Sequence, residues 1–321
     1  MLTAQSPGRP TTKTNLRAAG VVETPRRGKG AARRWRRGGW PRWPWPFDGG
    51  ARVSELKKGV LNLAGIRVFG FGELFLFPAP VVDRADMDGI AARVSARSFD
   101  IRSVDGTRLY AWHRRSRGER AVLFFHGNAE SLADRIPFHD YLVECGWDVL
   151  MVAYRGYPGS EGLPSESGAI DDAHALWLYA TCELGISAEN LVIHGKSLGG
   201  AVSVGLCTRV QPAGLILEST FLSVEELARE RFPLARDPVR ILKHAFNTRE
   251  RASEVHCPVL VLHADRDGTV PVAHGRALAP LFRNGRYLEA VGLGHAESLP
   301  LTDLNVRLAY GEFLAAVTGG P

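Results

Sequence analysis

The sequence has only four cysteines, and their spacing argues against two common uses of cysteine, zinc binding and a disulfide framework. They stand at positions 145, 182, 207 and 257, with no Cys-x-x-Cys pair and no histidine at metal-ligand spacing. Neither a zinc site of the usual spacing nor a disulfide framework is therefore indicated. Each cysteine lies in or beside an apolar stretch, which favours buried free thiols and a reducing compartment. We expect a cytoplasmic protein with no metal and no cofactor.

Long apolar runs are also absent. Residues 59–82 are apolar overall, but Arg67 and Glu73 interrupt them. No run reaches the roughly 20 residues that a membrane-spanning helix needs. We expect residues 51–96 to form an apolar segment that packs on the core of the protein. A position in a membrane interface is the alternative.

Positive charge is concentrated at the amino terminus. Residues 1–50 hold 11 of the 40 Lys and Arg but only two of the 34 acidic residues, so the rest of the chain, with 29 basic and 32 acidic residues, is net negative. The main domain therefore lacks the basic surplus that indicates nucleic-acid binding. Residues 1–50 contain no isoleucine and are rich in Arg, Gly and Pro, so we expect a disordered leader. The Arg and Trp side chains of the leader would suit peripheral membrane contact, which would involve residues 1–82.

From residue 97 onward, short apolar runs alternate with helical stretches. Asp105-Gly106 marks a hairpin turn, and residues 121–125 form the continuous apolar run typical of a strand buried on both faces. The pattern predicts helices at residues 129–145, 165–184 and 301–317. It indicates an α/β fold over residues 97–321, with a mostly parallel sheet of about eight strands and helices on both faces. Ligands of such sheets bind at the carboxyl ends of the strands.

A candidate nucleophile lies at the end of one predicted strand. The pentapeptide Gly195-Lys196-Ser197-Leu198-Gly199 reads G-x-S-x-G, follows an apolar run and precedes a helical stretch of small residues. Strand, tight turn and helix are the context of a nucleophile elbow, in which the serine hydroxyl is exposed on a strained turn. An ordinary glycine-rich turn with a solvated serine is the alternative.

A serine hydroxyl needs a base, and the base needs an orienting carboxylate. His295 follows the last predicted strand in a glycine-rich loop and is the candidate base. The loop after the preceding strand offers two carboxylates, Asp267 and Asp265. Asp267 lies deeper in the loop, whereas Asp265 could cap the turn. Glu218, at the end of an earlier strand, is a third candidate for the acid.

The oxyanion of an acyl-transfer reaction needs backbone N–H donors. The amide of Leu198, directly after the nucleophile, is one candidate. The amide of Asn128, in the loop His126-Gly127-Asn128 after the third strand of the main domain, is the other. We expect His126 to brace this loop rather than to act as a base.

Two segments are candidates for the substrate pocket. The loop that begins at Tyr154 carries aromatic residues and glycines, which suits either the mouth of an active site or a rigid turn. Residues 220–253 leave the strand–helix alternation and begin with Phe221. We expect this stretch to form a small helical lid over the site, and Tyr154 and Phe221 to line the pocket.

Taken together, these motifs resemble those of the α/β-hydrolase superfamily over residues 75–317, and most closely its bud-emergence-type (Bem-like) group. That group is often labelled serine aminopeptidase-like and has protein depalmitoylase relatives. The resemblance implies Ser197 as nucleophile, Asp267 as acid and His295 as base. It rests on His126-Gly127-Asn128, Tyr154-Arg155-Gly156-Tyr157, Gly195-Lys196-Ser197-Leu198-Gly199-Gly200, Glu218-Ser219-Thr220-Phe221, Asp267 with Val270-Pro271, and Gly294-His295.

The sequence thus predicts a serine hydrolase that acts on a small-molecule carboxylic ester or thioester through an acyl-enzyme. An aminopeptidase or amidase of the same fold is the alternative within enzymes. It ranks lower because no acidic site for a substrate amino terminus is evident. A non-catalytic, membrane-docked binding module is the alternative from another class.

Overall fold

A computed structural model describes residues 60–63, 66–69, 76–231 and 244–319. The strands of these residues are β1 Val60–Leu63, β2 Ile66–Phe69, β3 Ala79–Pro80, β4 Ala96–Arg102, β5 Arg108–Arg114, β6 Arg120–Phe125, β7 Trp147–Val152, β8 Leu191–Lys196, β9 Gly214–Glu218, β10 Val259–Ala264 and β11 Gly285–Ala290. The α-helices are α1 Arg84–Arg93, α2 Ile136–Glu144, α3 Glu166–Leu178, α4 Leu198–Cys207, α5 Val224–Arg231, α6 Thr248–Arg251, α7 Val272–Leu278, α8 Leu299–Thr302 and α9 Leu304–Val317.

Eight of the strands form one sheet, in the order β11-β10-β9-β8-β6-β7-β5-β4. The six strands from β6 to β11 run parallel to one another, and β5 is antiparallel to both of its neighbours. The α/β fold with a mostly parallel sheet of about eight strands is thereby confirmed. The remaining described strands, β1 to β3, form a small antiparallel sheet.

The apolar runs of the sequence form the centre of the sheet. Every residue of β7, β8, β9 and β10 is buried, because parallel strands are covered on both faces. β11 is one of the two edge strands of this sheet, and its first two residues are exposed. The core therefore lies around the middle strands, and it supports the loops at their carboxyl ends.

The predicted helix over residues 129–145 is wrong in its first half, since α2 begins only at Ile136. Ala129 has a φ of 54°, and its amide donates to the carbonyl oxygen of Pro78 at 2.7 Å. The amide of Ser131 donates to the carboxylate of Asp134 at 2.6 Å. Turn hydrogen bonds thus replace helical ones directly after the loop that begins at His126.

Two other helices are shorter than predicted. The α-helical part of residues 165–184 ends at Leu178, and a π-helical turn over Tyr179–Glu183 follows it. The closing helix is divided into α8 and α9, because Asp303 starts a new helix between them. Its Oδ1 accepts hydrogen bonds from the amides of Asn305, at 2.8 Å, and Val306, at 3.2 Å. Helix α1, in the amino-terminal segment, was not predicted.

The leader predicted over residues 1–50 lies outside the described residues, as does most of residues 51–75. In the range that begins at residue 76, Phe77 is fully buried and packs on Phe246 with 5.9 Å between ring centroids. In the part of the chain that the structure describes, no helix is both long and apolar enough to cross a membrane.

The predicted lid is described except for residues 232–243. Helix α5 belongs to it, and its last residue, Arg231, donates to the carbonyl oxygens of Gly268 and Thr269, the latter at 2.8 Å. The described part of the lid is therefore bonded to the loop that carries Asp267.

Candidate active site

The register of the parallel strands brings two glycine-rich loops together. Phe125 of β6 is paired with Gly195 of β8, so the residues two positions further along, Gly127 and Ser197, face each other beyond the sheet. A Cβ placed on Gly127 would lie only 3.5 Å from the Cβ of Ser197. An added Cβ would be in ordinary van der Waals contact at this distance, so the two loops lie directly beside each other.

Ser197 lies in the turn between β8 and α4 with φ 52° and ψ −118°. Such a backbone conformation costs a serine about 1–3 kcal/mol and persists only where its surroundings enforce it. Three hydrogen bonds do so. The Ser197 amide donates to the carbonyl oxygen of Glu218 at 2.8 Å, and its carbonyl accepts from the Thr220 hydroxyl at 2.7 Å and from the Gly200 amide at 3.0 Å. This strand–turn–helix geometry is that of a nucleophile elbow.

The glycines on either side of Ser197 are required by close backbone packing. A Cβ on Gly195 would collide with the carbonyl oxygen of Gly199, and a Cβ on Gly199 would collide with that of Phe125. The two glycines of the G-x-S-x-G pattern are therefore a steric requirement of this turn, independent of any role of the serine.

His295 and Asp267 are brought together by the pairing of β10 with β11. Ala264 is opposite Ala290, so the loops that follow these residues leave the sheet side by side. Nδ1 of His295 donates to Oδ2 of Asp267 at 2.7 Å. Oδ1 of Asp267 accepts from the amides of Thr269, at 2.8 Å, and Val270, at 2.7 Å. Burial by itself would raise the pKa of Asp267, but His295 and these amides outweigh it and lower the pKa.

The two other candidate acids have different partners. Asp265 accepts a hydrogen bond from the amide of Gly292 at 2.6 Å, which ties its loop to the one that carries His295. Glu218 is buried, and its Oε1 accepts from Nζ of Lys196 at 2.8 Å. Burial would raise the pKa of Glu218, but Lys196 and His194 hold it well below its ordinary value. Among the three carboxylates, Asp267 is the one hydrogen-bonded to His295.

Both amides predicted as oxyanion donors are available in the described structure. Leu198 is the first residue of α4, so its N–H has no acceptor within the helix. In the loop after β6, the amide of Gly127 donates to Glu130 and that of Ala129 to Pro78. The Asn128 amide between them has no acceptor among the described residues. Positive charge at the amino end of α4 adds to the attraction for an anion.

The two predicted pocket residues are both buried. Tyr154 is completely buried, and its hydroxyl donates to the carbonyl oxygen of His126 at 3.0 Å. Its ring lies 4.4 Å from the His126 ring, so Tyr154 and His126 together brace the loop that carries Asn128. Phe221 follows Thr220 at the start of the lid and is 4% exposed. A pocket-lining role for either residue stays a prediction.

A cleft of about 430 Å³ opens at the far end of α4. Its lining includes Cys207, Arg209, Glu254 and His256. Because α4 is ten residues long, this cleft is about 15 Å from the turn that holds Ser197. Within the described ranges, no three His, Cys, Asp or Glu side chains are grouped as metal ligands.

Charged side chains buried beneath the loops escaped the sequence prediction. Lys196, inside the pentapeptide, is 1% exposed, and Glu130 and Arg135 are each 9% exposed. Lysine and arginine are ordinarily surface residues, so their burial was not expected. The available signal for the burial of Lys196 was its position at the end of the apolar strand β8. In the sheet, Lys196 is paired in register with Glu218.

Comparisons with known proteins agree with this fold. The family model described as "Serine aminopeptidase, S33" matches residues 116–248. The chain is 34% identical over 206 residues to an uncharacterized protein of Mycobacterium tuberculosis, Rv2307c, covering 63% of this chain and 73% of that protein. It is 31% identical over 254 residues to the alpha/beta hydrolase domain-containing protein WAV2 of Arabidopsis thaliana, covering 70% of this chain and 82% of WAV2.

Among solved structures, the esterase Pf2001 of Pyrococcus furiosus is similar, with a TM-score of 0.62 at 16% sequence identity. The likeness covers 76% of this chain and 97% of the esterase. At this identity, the likeness concerns the fold.

Proposed function

The chain belongs to the α/β-hydrolase superfamily and is a hydrolase, and we propose that it is a serine hydrolase that cleaves a carboxylic ester or thioester. Ser197 is the nucleophile, His295 the general base and Asp267 the residue that orients the histidine. One observation carries the proposal. His295 donates to Asp267 at 2.7 Å, at the carboxyl ends of the parallel strands, where Ser197 also lies with its strained φ of 52°.

The bond to Asp267 determines which nitrogen of His295 does the chemistry. Because Nδ1 carries the proton that Asp267 accepts, Nε2 is left to take the proton of the Ser197 hydroxyl. The serine oxygen then attacks the carbonyl carbon, and the amides of Asn128 and Leu198 donate to the resulting oxyanion. The protonated histidine gives its proton to the leaving alcohol or thiol. Water, activated by the same nitrogen, hydrolyses the acyl-enzyme.

An ester or thioester is favoured over a peptide amino terminus by the state of the nearby carboxylates. Glu218 is paired with Lys196, Glu130 with Arg135, and Asp267 with His295. None of these three is left to bind the ammonium group that an aminopeptidase recognises.

Hydrolysis of p-nitrophenyl acetate, compared with that of alanine p-nitroanilide, tests the substrate class. We expect the ester to be cleaved much faster. Ser197→Ala should lower kcat at least about a thousandfold, because the oxyanion donors alone remain. The matched control is Ser219→Ala, since Ser219 also has a positive φ, of 50°, at a strand end. Full ester hydrolysis by Ser197→Ala would contradict the proposal, and faster cleavage of the anilide would favour the aminopeptidase alternative.

A further inference from the structure

Four charged side chains are buried together beneath the loops of the site: Glu130, Arg135, Lys196 and Glu218, called here the buried charge cluster. Each is at most 9% exposed. Arg135 pairs with Glu130, and Lys196 pairs with Glu218. Two cations and two carboxylates thus balance in a part of the protein where unpaired charge is costly.

One half of the cluster holds the loop that carries Asn128. Oε2 of Glu130 accepts the amide hydrogen of Gly127 at 3.0 Å, and its other oxygen is bonded to Arg135. This bond occupies the Gly127 amide and leaves the neighbouring Asn128 amide as the free donor. The orientation of the proposed oxyanion donor therefore depends on the position of the Glu130 carboxylate.

Both cations of the cluster hold the backbone directly after His295. Nη1 of Arg135 donates to the carbonyl oxygen of Ala296 at 3.0 Å, and Nζ of Lys196 donates to that of Glu297 at 2.9 Å. Further along the same segment, the amide of Leu299 donates to Oε1 of Glu218 at 3.4 Å. The histidine loop is thereby bonded to the strand that leads into Ser197.

The four charges behave as one electrostatic unit. Burial would raise the pKa of Glu130, but Arg135 and Lys196 together lower it to about 2. Both cations also act on Glu218, whose carboxylate lies 3.2 Å from Nε2 of His194. Burial lowers the pKa of His194, so this ring is neutral at pH 7 and adds no third positive charge.

Stability alone does not account for four buried charges, because well-packed apolar residues of similar volume are often as stabilising. The contacts of the cluster are selective: each of its two ion pairs has a bond to a loop of the site. We propose that the buried charge cluster positions the proposed base and oxyanion donor relative to the nucleophile. Its members act through backbone groups and do not touch the substrate, and the inference rests on the proposed function.

Two double variants remove one ion pair each without leaving a lone charge: Lys196→Met with Glu218→Gln, and Glu130→Gln with Arg135→Gln. Fluorophosphonate, reacted to completion, counts the competent sites, and kcat for p-nitrophenyl acetate is expressed per counted site. We expect kcat per site to fall about tenfold to a hundredfold, with KM changed less than about twofold, because misplacement of about 1 Å has effects of this size. Incompletely folded molecules are not counted by the probe, so they do not affect a kcat that is expressed per counted site.

The control removes a buried pair near the amino ends of the parallel strands, away from the proposed site. His113 and Asp148 are 2.7 Å apart, and Asp148 is the second residue of β7, at the amino end of the parallel strands. His113→Gln with Asp148→Asn should lower the melting temperature and leave kcat per site unchanged.

Cluster variants that keep wild-type kcat per site overturn the positioning role. A wild-type protein that neither reacts with fluorophosphonate nor cleaves the ester refutes the proposed function instead.

Discussion

Asp265 and Asp267 are separated by a single residue in the sequence, yet they hold different parts of the site. Asp267 accepts from His295, and Asp265 accepts from the backbone of Gly292. Asp267→Asn should therefore lower kcat/KM by about a thousandfold to ten-thousandfold, because an amide nitrogen favours the wrong histidine tautomer. Asp265→Asn keeps an acceptor oxygen and should change kcat/KM less than about tenfold. Steady-state kinetics on p-nitrophenyl acetate measures both, and the reverse order would make Asp265 the acid.

Sequence reasoning at the residue scale singled out Ser197 and His295 as candidates because each follows a predicted strand in a glycine-rich loop. Spacing could not separate Asp267 from Asp265, since both lie in the same loop and only side-chain contacts distinguish them. Lys196 was not expected beneath the site, because a lysine between two small residues is ordinarily solvated. Its burial depends on Glu218, which is distant in the sequence and adjacent in the sheet.

The turn between β8 and α4 tolerates no side chain at its flanking glycines. Gly199→Ala should lower the free energy of unfolding by about 1–3 kcal/mol or more, because its Cβ would collide with the Phe125 carbonyl oxygen. Gly311→Ala in α9 is the matched control, since no atom lies within 4 Å of its added Cβ. It should stabilise the helix by about 0.5–1 kcal/mol. Urea unfolding measures both, and equal stability of the two variants would contradict the close packing.

Strands were predicted more accurately than helices, and the reason is physical. The central strands are continuous apolar runs whose burial fixes their extent, as the predicted run 121–125 illustrates, since β6 spans Arg120–Phe125. The start of α2 depends instead on the Pro78 carbonyl, a distant partner that bonds Ala129 and draws the chain into a turn. Periodicity contains no information about such a partner.

The whole molecule should lose stability in acid, over a range that its buried groups define. The pKa of Glu130 is lowered to about 2 and that of the buried His139 to about 3. In both cases the unfolded chain binds protons at a higher pH than the folded protein does, so the free energy of unfolding falls as pH decreases. For His139 the loss runs from about pH 6.5 to about 3, and for Glu130 from about pH 4.5 to about 2.

Urea unfolding at pH 7, 5, 4 and 3 measures this dependence. In the Glu130→Gln, Arg135→Gln variant, the decrease below pH 4.5 should be shallower, because one of the carboxylates with a lowered pKa is gone. It should not vanish, since Glu218 and Asp267 also have lowered pKa values. The same slope in the variant and in the wild type would contradict the assignment of this stability to Glu130.

The proposed mechanism and the positioning role of the buried charge cluster both depend on Ser197 as the nucleophile, and covalent labelling tests that claim most directly. The wild-type protein is treated with a fluorophosphonate probe, digested and mapped by mass spectrometry. We predict one modified residue, Ser197, in the peptide that links β8 to α4, and no modification of the Ser197→Ala variant. An adduct on another serine, or equal labelling of the Ser197→Ala variant, would contradict the proposed mechanism.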